Sequence, residues 1–389
     1  MYKKASIYLK KLNSEGFWSF YAYETARNML LGKPSKSINI LTNADVLELT
    51  RLFPEIEFRT GRTESGFISQ NGLEVRFYVI DYPFDKIVHI PGFTDREKLV
   101  LRSEAEKVLF RVNAFFYELE RDIFIDPLDS YYLLRKGLIK TTKKPKEAIE
   151  KYPALALKTL KIYAETGFDI DSHLELFLKS RPSLETYEQM DPEKIEDFIS
   201  ICSSDLVYEC FKLMDKWGIL ERILPEVSSL KMIHQDKDYH PEGDVFNHTL
   251  RCLKHLKKPD KNIVMAALLH DTGKAVTRER GTSNIPFPNH SRASKSIARR
   301  VLKRLMFSDE DTEIVLYLVE NHMLPGSIER FPEHKRRIIF NSPHFPSLLE
   351  LYRADILSGY HDEKKYYRVA ALYRDHLARV KSEKNGFYG

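Results

Sequence analysis

The stretch AALLHDTGK, residues 266–274, decides how this chain is read. The apolar run Ile263 to Leu269 has the make-up of a helix entering a core. It stops in an imidazole and a carboxylate side by side, His270-Asp271, with Gly273 and Lys274 just behind. A buried carboxylate is costly unless it is paired, protonated or bound to a metal. A core helix that ends this way is expected to end in ligands.

Other segments of the C-terminal third aim similar groups inward. In SDEDTEIVLYLVENHM (308–323), Ser308 is a plausible cap with Asp311 in the capping-box position. Ile314, Leu318 and His322 are four apart, which puts His322 on the buried stripe. In PSLLELYRADILSG (346–359), Leu348, Leu351, Tyr352 and Asp355 follow i, i+3, i+4, i+7, so Asp355 is expected to point into the core. DVFNHTLRCLKHL (244–256) sets His248 one turn before Cys252, and His290 opens the helical segment HSRASKSIARRVL. Any one of these histidines alone is more often a satisfied core or surface residue. Four helices aiming His or Asp inward, joined by His270-Asp271, are harder to dismiss, because imidazole and carboxylate are good ligands for divalent metals.

The rest of the chain sets bounds. It has 389 residues, 43% hydrophobic and 30% charged, which predicts a packed core and two or three domains. A formal charge of +5, from 61 basic and 56 acidic residues, is compatible with a nucleic-acid surface without demonstrating one. Cys202, Cys210 and Cys252 have no CxxC spacing, so a disulfide framework or a thiolate zinc site is not expected, and a reducing cytoplasm fits. There is no signal-peptide h-region, and no apolar run nears the roughly 18 residues that span a bilayer.

Residues 1–140 read as mixed α/β. SFYAYETARNMLLG (19–32) reads as a helix stopping at Gly32, SINILT (37–42) as a strand, and ADVLELTRLFP (44–54) as a helix ended by Pro54. GFISQNGLEVRFYVID (66–81) holds an Asn-Gly pair between alternating runs, a strong hairpin signal. From about 141 to 225 the pattern turns helical, with PALALKTLKIYAETG (153–167) opening on Pro and closing on Gly. Beyond 230 it also reads as helices, broken at Pro241–Gly243, Gly281–Pro288, Pro325 and Pro343–Pro346.

HPEGDVFNHTL, AALLHDTGK, NHSRASKSIARRVLKRLMFS, ENHM and LYRADILSG together resemble an HD domain of the metal-dependent phosphohydrolase superfamily. Its signature of His, His-Asp and Asp is matched by His248, His270-Asp271 and Asp355, and the two further histidines of two-metal members by His290 and His322. The resemblance implies one or two divalent ions per chain, with Mn, Mg, Fe, Co, Ni and Zn all candidates. It puts His248, His270, Asp271 and Asp355 on the first metal, His290 and His322 on a second, Asp271 as a bridge, and Lys274 against phosphate. The implied chemistry is metal-assisted hydrolysis of a phosphate ester, with Asp271 and Lys274 as the catalytic pair. A basic flank of Arg292, Lys295, Arg299, Arg300, Lys303 and Arg304 either draws in such a substrate or is a solvated face.

In outline the whole chain also resembles the tRNA nucleotidyltransferase/poly(A) polymerase family, the bacterial CCA-adding type. The outline rests on TARNMLLGKPSKSINILT, GLEVRFYVID, LFRVNAFFYELERDIFIDPL, YPALALKTLKIYAETGFDID and GILERILPEV. The expected architecture is therefore α+β: a small α/β nucleotidyltransferase-like head (1–140), a helical neck (141–229) and an all-α HD domain (230–389).

The departures matter as much as the matches. Where the family has Gly-Gly this chain has Tyr23-Glu24, and where it has Arg-Asp this chain has Arg27-Asn28. Its Asp-x-Asp pair reads Ser37-Ile38-Asn39, while Glu74 keeps a third acidic position. The neck's base-pairing Asp and Arg read Tyr152 and Leu155. One carboxylate cannot assemble a two-metal transfer site, so the head is expected to keep its fold and to have lost transfer. The expected partner is a phosphate-ester substrate, with nucleotides, 2′,3′-cyclic phosphates, 2′-nucleotides and RNA ends (tRNA included) as candidates. The alternatives are residual nucleotide transfer through carboxylates such as Glu24 and Glu74, and a non-catalytic RNA-binding protein.

Overall fold

The structure, a computed structural model, describes residues 1–35, 37–58, 65–70, 72–80, 95–231, 233, 243–277, 287–359 and 363–386. Asn71 and most of the breaks expected at 241–243 and 281–288 lie outside the described residues. In chain order the elements begin with α1 (Tyr2–Ser14), β1 (Ser19–Ala22), α2 (Glu24–Leu30), β2 (Ser37–Thr42), α3 (Val46–Leu52), β3 (Gly66–Gln70) and β4 (Leu73–Val79). Then come α4 (Asp95–Lys107), β5 (Phe116–Glu118), β6 (Ile123–Ile125), α5 (Tyr131–Lys136), β7 (Leu138–Ile139), α6 (Pro145–Lys151), α7 (Leu155–Thr166), β8 (Asp169–Ile170) and α8 (Ser172–Lys179). Helices follow: α9 (Pro192–Cys202), α10 (Val207–Lys216), α11 (Leu220–Ile223), α12 (Pro225–Ser228), α13 (Val245–His255), α14 (Lys261–Leu269) and α15 (Lys274–Thr277). The last are α16 (His290–Arg304), α17 (Asp309–Asn321), α18 (Glu333–Phe340), α19 (Phe345–Ser358) and α20 (Glu363–Gly386). The fold is α+β, as expected, in two compact units: Met1–Pro153 with Phe168–Phe177, and Ala154–Gly167 with Leu178–Gly389.

The first unit is built on a sheet ordered β3-β4-β2-β1-β5-β6. β2 and β4 run parallel, with Ser37 opposite Glu74 and Asn39 opposite Arg76. The other neighbours are antiparallel. Alternation along the strands feeds two cores. Tyr21, Ile38, Ile40, Val75 and Phe77 pack with Leu9, Leu12, Leu49 and Leu52 of α1 and α3. Phe20, Ala22, Leu41 and Phe116 pack with Val100, Leu101 and Ala105 of α4. The hairpin is where Asn-Gly placed it, with Gln70 paired to Leu73.

One expectation is overturned. Residues 19–32 are not a single helix: Ser19–Ala22 form a strand and only Glu24–Leu30 are helical. All four strand residues are buried, because β1 lies between β2 and β5. A strand covered on both faces shows no alternation and passes for a helical run. Between strand and helix Tyr23 takes φ +58, a conformation that glycine adopts freely and that costs a tyrosine about 1–3 kcal/mol.

The second unit is helical. α14 is its axis, touching α13, α16, α17 and α19. Ile263 to Leu269 are all at most 4% exposed, so the run is apolar on every face because every face is covered. The helices that carry the expected ligands are capped by side chains. Asp244, Asp260 and Ser308 accept backbone N–H groups at the starts of α13, α14 and α17, each such cap contributing about 1 kcal/mol. Asp311 N–H donates to Ser308 Oγ at 3.2 Å, one half of the expected capping box, and the Ser308 hydroxyl donates to the Asp311 carboxylate at 2.6 Å. Among the described residues no helix is long and apolar enough to cross a membrane.

Candidate metal centre

The six expected ligands come from three helix ends and two helix bodies of the second unit. His248 lies in α13, and Asp355 in α19. His270 caps the C-terminus of α14 and His322 that of α17, while His290 opens α16. His248, His270, Asp271 and His322 are at most 3% exposed and His290 is 9% exposed. Asp355 is not fully in the core: its side chain stays 25% exposed at the edge of the centre.

Three of the imidazoles are set by one device. Nδ1 of His270, His290 and His322 lies 2.8, 2.9 and 2.8 Å from the carbonyls of Ala267, Phe287 and Val319 respectively. A carbonyl only accepts, so Nδ1 carries the hydrogen and Nε2 of the neutral ring keeps its lone pair. Such backbone bonds typically orient metal-ligating histidines.

The Nε2 atoms converge. Those of His290 and His322 stand 3.3 Å apart. Two neutral rings would oppose lone pairs there, and two nitrogens about 2.1 Å from a tetrahedral ion would be about 3.4 Å apart. His270 Nε2 is buried without a hydrogen bond. The set therefore fits a divalent cation. Its donors fall into two groups: His248, Cys252, His270 and Asp355, and Asp271, His290 and His322. Asp271 faces both, with Oδ2 3.3 Å from His270 Nε2, and Oδ1 3.5 and 3.8 Å from His290 and His322 Nε2. His248 Nε2 lies 2.9 Å from Asp355 Oδ1.

The glycine of the turn makes this convergence possible. A β-carbon on Gly273 would stand 2.1 Å from the His290 carbonyl oxygen. The start of α16 packs on bare backbone, held by Gly273 N–H donating to Ser294 Oγ at 2.8 Å. Lys274 Nζ lies 2.7 Å from Asp271 Oδ2 and 5.6 Å from the centre of the Phe287 ring.

Charge follows the geometry. Burial opposes a charged His270, but the Asp271 carboxylate outweighs it and pushes the imidazole up to about 9. Against burial, Lys274 and His270 hold Asp271 well below the carboxylate range. Burial, then the charge on His270, brings His322 down to about 4. Burial lowers His290 as well. Asp355 is lowered despite burial by its bond to His248. Absent a metal, Asp271 and Asp355 are ionised, Asp271 stands between the charged His270 and Lys274, and His290 and His322 are held neutral.

The sequence placed Cys252 one turn after His248 without leading to a thiolate site being expected; in the structure its Sγ is 3.8 Å from His248 Nε2. Much of the basic flank is already engaged: Lys295 with Glu320 at 2.6 Å, Arg299 with Glu313 at 4.0 Å, Arg304 with Glu226 at 2.7 Å and Arg300 with Ser296 at 3.4 Å.

In the first unit the head positions expected to depart from the nucleotidyltransferase pattern make the following contacts. Asn39 Nδ2 is 3.5 Å from Glu24 Oε2, and Glu74 Oε1 is 2.6 Å from Arg76 Nε. The Tyr23 ring packs edge-on against Tyr78 at 5.0 Å. Tyr152 donates its hydroxyl to the Lys107 carbonyl at 3.0 Å. Leu155, in the second unit, is fully buried.

Residues 245–373 match the HD-domain family. A multifunctional CCA protein of Halorhodospira halophila is 36% identical over 108 residues, 27% of this chain and 26% of that one. Another, of Laribacter hongkongensis, is 25% identical over 278 residues, 69% and 67% of the two chains. The match to the first of these thus covers about a quarter of the relative's length. The CCA-adding enzyme of Bacillus stearothermophilus, solved with CTP, superposes with a TM-score of 0.66 over 97% of this chain and 82% of its own, at 14% identity. A tRNA nucleotidyltransferase solved with a primer tRNA and an ATP analogue superposes with a TM-score of 0.58 over 96% and 98%, at 15% identity. Residues 245–373 are therefore an HD domain, borne on a chain with the fold of the CCA-adding enzymes.

Proposed function

We propose that this chain is a metal-dependent phosphohydrolase, acting on phosphomonoesters or phosphodiesters, whose working site is the HD centre. One observation carries the reading: His248, His270, Asp271, His290, His322 and Asp355, spread over more than 100 residues, turn their donor atoms into two adjoining groups around Asp271. When bound, a divalent cation supplies acidity to water and polarisation to a phosphoryl oxygen. The residues do the rest. His290 and His322 stay neutral at pH 7 and present their lone pairs. Asp271 stays ionised and offers one oxygen to each group. Lys274 holds Asp271 from the side and presents an ammonium to an incoming phosphate. Mn, Mg, Fe, Co, Ni and Zn all remain candidate ions, one or two per chain.

On this reading the head (1–140) and neck (141–229) support the HD domain (230–389) and have given up nucleotide transfer. Support comes from the head positions themselves: a serine and an amide stand where two carboxylates are needed, and the Glu74 carboxylate is bonded to Arg76. A tyrosine ring fills the place of a glycine cradle. Nucleotides, 2′,3′-cyclic phosphates, 2′-nucleotides and RNA ends are the candidate substrates, and a reducing cytoplasm the compartment. The second reading, nucleotide transfer through Glu24 and Glu74, draws on the relatives named CCA proteins. The test is metal analysis of the purified protein with a panel of phosphomonoesters and cyclic phosphodiesters, beside labelled CTP and ATP with tRNA. Hydrolysis without extension is expected, and Asp271→Ala should lose both metal and hydrolysis. Hydrolysis surviving in that variant would overturn the site; tRNA extension by the wild type would overturn the loss of transfer.

A further inference from the structure

Cys252 adds to the centre a donor that the His and Asp pattern does not contain. It is fully buried on α13, one turn after His248, with Sγ 3.8 Å from His248 Nε2. Donor atoms of Cys252, His248, His270 and Asp355 all lie within 4.8 Å of one another. One of the contacts matches the edge of a coordination tetrahedron. Ions with bonds of about 2.0–2.3 Å to N, O and S have donors about 3.3–3.8 Å apart. The observed His248–Cys252 edge is 3.8 Å, while His248 and Asp355, 2.9 Å apart, are at hydrogen-bond distance and would open by about 0.4 Å around an ion. A second observation is independent of the sulfur: His270 Nε2, on a ring 1% exposed, has no hydrogen bond and belongs to the same group.

We propose that Cys252 is a thiolate ligand of the first metal, completing a Cys-His-His-Asp site, and that the two metal positions are chemically unequal. This rests on the reading of the HD centre as a metal site. The second position, Asp271, His290 and His322, offers only nitrogen and oxygen donors. Sulfur selects thiophilic ions such as Zn and Co over Mg and Mn, whereas imidazole-carboxylate donors discriminate less. Coordination replaces the S–H bond by a metal–sulfur bond, and the proton leaves to water; no oxidant or reductant is involved. The first position therefore takes a thiophilic ion, and the second accepts a harder one.

Cobalt(II) added to the metal-free full-length protein reads the sulfur directly. The wild type should show a sulfur-to-cobalt charge-transfer band in the near ultraviolet together with the visible bands of a low-symmetry Co(II) site. X-ray absorption at the zinc edge of the zinc-loaded wild type should show a sulfur neighbour, a readout that needs no variant. Cys252→Ser should lose the charge-transfer band, keep the visible bands from the second position, and bind zinc at least about 10-fold more weakly. Its Mn affinity should change by less than about 3-fold, since carboxylate and imidazole carry that ion. Visible cobalt bands with no charge-transfer band and no sulfur neighbour would overturn the role of Cys252 and leave the metal centre standing. A wild type that binds no cobalt at all would overturn both.

Discussion

Gly273→Ala probes the packing that brings the two halves of the centre together. Its β-carbon would stand 2.1 Å from the His290 carbonyl oxygen, 2.7 Å from the Ser294 amide nitrogen and 2.9 Å from Ala293 Cβ. Carbon and carbonyl oxygen need about 3.3 Å, so the start of α16 must retreat by about 1 Å. The retreat breaks the Gly273 N–H to Ser294 Oγ bond, about 1 kcal/mol, and the remaining misfit costs about 1–3 kcal/mol. Together these make about 2–4 kcal/mol, and for a unit of this size about 2–4 °C of Tm per kcal/mol, so melting should fall by about 5–15 °C. The same shift carries His290 away from His322, now 3.3 Å apart between Nε2 atoms. Metal–nitrogen bonds tolerate about 0.2 Å, so the ion held by His290 is lost while the His248 side keeps its own. Calorimetry with metal analysis reads both. A variant that melts within about 1 °C of the wild type and holds as much metal would refute the claim that bare backbone at Gly273 sets the site.

Two further expectations follow from charge and capping. His270 in the metal-free protein is raised from 6.5 to about 9 by Asp271, so its contribution to stability is full below pH 6.5 and is lost as pH rises through 9. Chelator-treated protein should lose Tm across that window while metal-loaded protein does not, and below pH 9 metal uptake should release a proton, seen in calorimetry with buffers of different ionisation enthalpy; equal pH profiles with no proton release would contradict it. Ser308→Ala removes the cap of α17 and its 2.6 Å contact with Asp311, which should cost about 1 kcal/mol with metal content unchanged; a loss above about 3 kcal/mol in denaturant melts would mean that Ser308 supports more than a helix end.

Much of the HD domain was legible because its signals are local. The expected stretches 308–323 and 346–359 are helical over Asp309–Asn321 and Phe345–Ser358, since caps, prolines and a period of 3.6 act within one helix. His322 proved buried, as is Leu318 one turn before it, though Ile314 at the start of the stripe is only half-buried. Asp355 shares that periodicity and is nonetheless 25% exposed, because periodicity tells which face a residue is on and not whether a neighbouring helix covers its tip. The strand Ser19–Ala22 was misread for the converse reason: its burial comes from β2 and β5, which lie elsewhere in the chain.

By itself the sequence determined which donors exist and on which helices they ride, since residue type and spacing along a helix are local properties. It also marked head positions expected to lack the carboxylates of a nucleotidyltransferase. Only the tertiary structure decided which donors meet: that Asp271 faces both groups, that Lys274 leans on Asp271, and that Cys252 joins His248, His270 and Asp355. Those meetings depend on how α13, α14, α16, α17 and α19 cross, and a crossing is set by side chains far apart in the chain, such as a glycine that lets the backbone of α16 come within reach of the turn after α14.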